Sequence, residues 1–79
     1  MISPSQSKAA RALLGWTQAK LAQKSGIPLD TVKRFERAKS DTRGKAMIKM
    51  EAAIRQAGIR LLPPENGEGE GLRFASAKQ

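Results

Sequence analysis

The sequence predicts a mainly α-helical fold of four helices, at most five, followed by a C-terminal β-hairpin. Three observations predict it. Apolar residues recur at three- and four-residue intervals through residue 57, glycines at 15, 26 and 58 interrupt that pattern, and after Gly58 the apolar period falls to two.

The first helix runs to about Leu14, capped at its start by Ser5 or Ser7, with Ala9, Ala10, Leu13 and Leu14 at helical spacing and Gly15 as its stop. Thr17 opens a second helix whose apolar stripe is Leu21 and Ala22, ended by Gly26 after Lys24 and Ser25. Ile27-Pro28 begins a third, because proline is tolerated in a first turn that lacks intrahelical acceptors. Val32 and Phe35 form its inward face, while Asp30, Lys33, Arg34, Glu36 and Arg37 are charged. A polar stretch from Lys39 to Gly44 leads to a fourth helix over 45–57, in which Met47, Met50, Ile54 and Ala57 recur at helical intervals. Ile59-Arg60-Leu61 and Leu72-Arg73-Phe74 then alternate apolar and basic residues, joined through Pro63-Pro64 and a Glu/Asn/Gly-rich connection. An isolated two-stranded hairpin is marginal in water, so this one either lies on the helices or adds to strands of a second subunit; the competing reading is a mobile tail.

Composition narrows the function. With 79 residues there is room for one small core, and with neither Cys nor His there is no zinc site of the usual kind, no disulfide, no imidazole base and no thiolate. No cofactor, metal or catalytic residue is expected. The net charge is +8, and it is concentrated: residues 18–60 hold eleven bases against four acids, whereas 61–79 are net acidic. Such a field draws polyanions, nucleic acid first among them, although a basic helix on a membrane surface would also fit the charge. The N-terminal segment interleaves Ser, Gln, Lys and Arg where a signal peptide needs unbroken apolar sequence, and no apolar run nears the ~18–20 residues of a membrane span. The expectation is a cytoplasmic protein, associated with a prokaryotic or phage nucleoid, without a membrane partner.

The segment Gln18–Arg37, QAKLAQKSGIPLDTVKRFER, carries a specific pattern. Counting Gln18 as the first of twenty positions, the fifth is Ala22, the ninth Gly26, the tenth Ile27, the fifteenth Val32 and the eighteenth Phe35. This resembles the helix-turn-helix of the lambda repressor and Cro type, the XRE-like family. Each match suits a demand of that motif: a small residue where one helix crosses another, a glycine where the turn needs positive φ, and three apolar wedges. The resemblance spans roughly residues 5–58 and implies a lambda-repressor-like DNA-binding domain over 1–58, with 59–79 as a hairpin extension ending in a frayed terminus. It also implies a partly buried ion pair between Arg11 and Glu36, tying the first helix to the third.

By the docking geometry of such motifs, the outward residues near the start of the third helix, Leu29, Asp30, Lys33 and Arg34, face bases in the major groove. Arg34 suits a two-point contact with guanine; Lys33 reads guanine or meets a phosphate. Asp30 either accepts from cytosine or offsets the helix dipole, and Leu29 departs from the polar residue common there, leaving a thymine methyl as its partner. Phosphate contacts are expected from Thr17 and Gln18, and the resemblance places Arg43 and Lys45 on the opposite stretch of backbone, with Arg37 and Lys39 assisting. Trp16 and the Met47/Met50 stripe read as core or core cover.

The leading expectation is a sequence-specific transcription regulator, a repressor or autorepressor, binding double-stranded DNA at a palindromic operator as a homodimer. One recognition helix reads too few base pairs to be selective alone. The hairpin residues Ile59, Leu61, Leu72 and Phe74 are the expected dimer contact. RNA polymerase or a partner protein could be a further contact, and alternatives are an antitoxin whose acidic tail holds a toxin or an accessory factor for recombination. An enzyme is the least expected, since no nucleophile–base pair is recognisable.

Overall fold

In the computed structural model, which describes residues 2–37 and 44–76, four helices precede one hairpin: α1 Pro4–Leu14, α2 Gln18–Ser25, α3 Leu29–Arg37, α4 Lys45–Gln56, β1 Ile59–Leu62 and β2 Gly71–Phe74. Lys39 and Arg43, expected at the phosphate backbone, lie outside the described residues.

The expected start of α1 needs correcting. Its N-cap is Ser3, earlier than either expected serine: the Ser3 Oγ accepts from the Gln6 N–H, and the Gln6 Oε1 accepts from the Ser3 N–H, both at 3.1 Å. This reciprocal box, with Pro4 preset for the first helical position, satisfies orphan donors that a cap at Ser5 or Ser7 would leave to water. Ser7 is buried inside the helix and serves Glu36 instead. At α3 the shift is smaller. Pro28 stays just outside the helix, and its carbonyl accepts from the N–H groups of Thr31 and Val32.

One core serves helices and hairpin alike. Ala10, Leu21, Ala22, Val32, Phe35, Met47, Met50, Ile54 and Ile59 are buried together, and Ile2 joins them from ahead of α1. α2 packs on α3 and α4, α1 on α3, while β1 lies along α4 and β2 along α1. Trp16 is half-buried at the rim and covers the core's edge. Leu13, expected on the inner face of α1, is largely exposed, since Ala10 and Leu14 already occupy the stripe that meets the core.

The strands pair antiparallel in the register Ile59–Phe74, Arg60–Arg73, Leu61–Leu72 and Leu62–Gly71. Beyond Pro63-Pro64, Glu65 and Glu68 exchange backbone hydrogen bonds around Asn66 and Gly67, both at positive φ, which is a turn whose twist matches the strands. Gln6 anchors this hairpin to α1. Its Nε2 donates to the carbonyls of Gly71 (2.8 Å) and Leu62 (3.3 Å), and the Ser3 hydroxyl bonds the Glu70 carboxylate.

The apolar face of the hairpin therefore points at its own domain. Ile59 is fully buried there, and Leu61, Leu72 and Phe74 are half-buried against the same core. Of the four side chains expected at a second subunit, Ile59 is taken up by the chain's own core, while Leu61, Leu72 and Phe74 pack on that core and keep part of their surface exposed.

Candidate nucleic-acid interface

The turn between α2 and α3 is set by backbone demands. Gly26 has φ +72°, its N–H bonds the Ala22 carbonyl at 2.9 Å, and a Cβ placed on it would meet nothing within 4 Å. The requirement is conformational, not spatial, and glycine meets it without strain. Ala22, 6% exposed, is buried in the same core as Val32 and Phe35 of α3.

α3 is sharply two-sided. Val32, Phe35 and Glu36 are buried, whereas Leu29, Asp30, Lys33, Arg34 and Arg37 are exposed. At 3.6 residues per turn, positions 29, 33 and 37 form one row and 30 and 34 the next, so the five share a single outward face. Asp30 and Arg34 stand one turn apart without an ion pair, and neither Lys33 nor Arg34 has a hydrogen-bond partner among the described residues. Their donors are free for an external acceptor.

The α2 N-terminus lies beside this face. Thr17 caps it through Oγ1, which accepts from the Lys20 N–H at 3.0 Å, leaving the hydroxyl proton available. The helix offers no acceptor for the N–H groups of Gln18 and Ala19, which makes its start suited to an anion. Lys45, exposed, opens α4.

Beneath these groups is a buried polar knot. Glu36 is 2% exposed, yet it accepts from Arg11 Nη2 at 2.7 Å and Nε at 2.9 Å, from the Ser7 hydroxyl at 2.5 Å and from Gln18 Nε2 at 3.1 Å. Arg11 Nη1 also reaches the Trp16 carbonyl. Arg11 and Glu36 are thus joined, and Gln18, expected at a phosphate, has its side-chain amide directed at Glu36. An open groove lined by Lys8, Gln18, Lys33, Glu36 and Arg37 lies above the knot. Lys8 is an addition to the residues expected here. The only sequence signal for it is its place one turn before Arg11 on the same helix.

Burial alone would raise the Glu36 carboxyl pKa, but the hydrogen bonds from Arg11, Ser7 and Gln18, with the Arg11 charge, outweigh it and hold the group below its ordinary 4.5. A carboxyl depressed on folding stabilises the fold above its unfolded pKa and loses that contribution as pH falls through the folded one. Unfolding free energy is therefore expected to be flat in this respect at neutral pH and to decline once pH drops below about 4.5. In Glu36→Gln, denaturant melts across that range should show a shallower acid limb; an identical limb would place the sensitivity elsewhere.

A two-helix unit with a free, charged outer face on its second helix and a bare N-terminus on its first defines a DNA-groove-docking domain. The chain belongs to the helix-turn-helix family of the XRE, or lambda repressor, type, which it matches over residues 8–56. It is a DNA-binding transcription regulator of that kind, in a family of non-enzymatic DNA-binding domains. No curated protein matches the chain. Among the described residues no helix is long and apolar enough to cross a membrane.

Proposed function

We propose that this protein is a repressor, acting on its own promoter among others, that binds an approximately palindromic operator as a homodimer. The observation that carries this reading is the outward face of α3, where Leu29, Asp30, Lys33 and Arg34 are exposed and Lys33 and Arg34 have no partner among the described residues. Arg34 reads a guanine edge, Lys33 a neighbouring guanine or phosphate, and Leu29 a thymine methyl. Thr17, the α2 N-terminus, Arg37, Lys39, Arg43 and Lys45 hold the backbone on either side, and Lys8 joins them from the groove above Glu36. Two copies on two half-sites supply the selectivity that one helix lacks, and occupancy of the operator excludes RNA polymerase.

Selection of bound fragments from randomised DNA at near-physiological salt tests this. The expected result is an enriched inverted repeat with half-site centres about ten base pairs apart. Enrichment of a single unrepeated site would remove the dimer from the reading, and no enrichment despite binding at low salt would reduce the positive face to non-specific attachment.

A further inference from the structure

Asp30 is the one acidic side chain on the outer face of α3, since Glu36 is buried; Leu29, Lys33, Arg34 and Arg37 make up the rest of that face. A carboxylate there works against docking on a polyanion unless it meets a hydrogen-bond donor. The chain supplies none. Asp30 has no hydrogen-bond or ion-pair partner among the described residues, although Arg34 stands four residues on, the spacing at which an acid and a following base pair well. The same spacing does close on α4, where Glu51 and Arg55 lie 3.0 Å apart. Asp30 and Arg34 are each left for an external partner.

A first-turn acid also offsets the helix dipole, but that role sets no requirement on the row from which the acid projects. Asp30 shares its row with Arg34, on the face that meets the major groove. Four residues of helix rise about 6 Å, close to two base-pair steps, so this row addresses bases one or two steps apart.

The groove edge offers a carboxylate few donors. Guanine presents only acceptors there, N7 and O6, and thymine presents O4 beside its methyl. The amino group of adenine lies between two acceptors, its own N7 and the O4 of the paired thymine. Cytosine N4 has an acceptor on one side only, the O6 of its guanine.

We infer that Asp30 is a specificity-determining residue: it accepts a hydrogen bond from the N4 amino group of a cytosine within about two base pairs of the guanine read by Arg34, and it sets a carboxylate against the acceptors of other bases at that position. This rests on the base-reading role proposed for α3 and deepens it, giving a base to the residue of that face which the role left without one. Its effect is largely exclusion. Selectivity is a difference between affinities, and a group that penalises wrong bases raises it while lowering affinity for DNA at large.

Selection from randomised duplexes, followed by isotherms on the selected site and its single-base variants, tests the inference with wild type, Asp30→Ala, Asp30→Asn and Arg34→Ala. Position 30 is exposed, and circular dichroism and melting should confirm that the variants fold. Wild type should enrich cytosine near the guanine and lose about fivefold or more in affinity per half-site when another base replaces that cytosine. Asp30→Ala should flatten the preference at that position alone and bind random DNA more tightly than wild type. Asp30→Asn should move the preference to adenine, whose N6 and N7 an amide can bond together. An Asp30→Ala protein that keeps the cytosine preference and only melts earlier would overturn the inference and leave the carboxylate as a dipole partner. Wild-type specificity in Asp30→Asn would overturn it too. Either result leaves the base-reading role of α3 standing where the guanine preference disappears in Arg34→Ala. A wild type with no base preference at any position would overturn both.

Discussion

Arg11→Ala should cost about 3–5 kcal/mol of folding stability, enough to leave a domain of this size partly unfolded at 37 °C. The magnitude follows from what remains. Glu36 has a side chain only 1% exposed, and losing Arg11 removes its one cationic partner among the described residues together with the bonds from Nε and Nη2. Ser7 and Gln18 still donate to the carboxylate, so it is not orphaned, but two neutral donors do not offset a buried charge. Since about 1 kcal/mol shifts the melting temperature by roughly 4–8 °C in a domain of this length, the expected drop exceeds about 10 °C.

The double variant Arg11→Met/Glu36→Leu separates the loss of a favourable pair from the exposure of an unpaired charge. With both charges gone, a large part of the loss should be regained, the remainder coming from the Ser7 hydroxyl left without its acceptor. Arg11→Lys should fall between, keeping the charge but losing the two-point geometry. Thermal and urea melts of wild type, Arg11→Met, Glu36→Leu and the double variant give the cycle, with Arg11→Ala and Arg11→Lys measured beside it. A loss below about 1 kcal/mol in Arg11→Ala would mean the pair behaves like two solvated charges.

The same knot shows how far the sequence can be read. Ala22, Gly26, Val32 and Phe35 answer local demands within twenty residues, so the two helices and their turn are legible from spacing alone. The alternation of Ile59-Arg60-Leu61 likewise reveals a strand and its two faces. It does not reveal what the apolar face meets, because that depends on α1 and α4 reaching the same place, where Ile59 enters the core and Leu61, Leu72 and Phe74 pack against it. The start of α1 is hard to read for a related reason. Ser3, Ser5 and Ser7 are equivalent as local caps, and what distinguishes Ser3 is Gln6, whose amide also bonds strand ends 56 and 65 residues away. Gln18 shows the limit at the site itself, where helix position suggests a phosphate and packing aims its amide at Glu36.

Arg34→Ala should lower affinity for the cognate operator by about 1–3 kcal/mol per half-site and flatten the preference at one base pair in each half, with a much smaller effect on random DNA. Lys45→Ala should instead weaken operator and random DNA by similar factors and reduce the salt slope by about one unit for each phosphate that is no longer neutralised. The contrast follows from position. Arg34 projects from the free outer face of α3 with no acceptor among the described residues, and a planar fork can bond O6 and N7 of guanine together. Lys45 stands at the first residue of another helix, outside that face; in the proposed reading its point charge would meet the backbone whatever the sequence. Arg34→Lys adds a control, since it keeps the charge and loses the fork: affinity for random DNA should be restored and base preference should not. Binding isotherms on operator and random duplexes across a salt series decide it. If Arg34→Ala and Lys45→Ala prove indistinguishable on the two DNAs, Arg34 is a backbone contact, and the base-reading role passes to Lys33 and Asp30 on the same face.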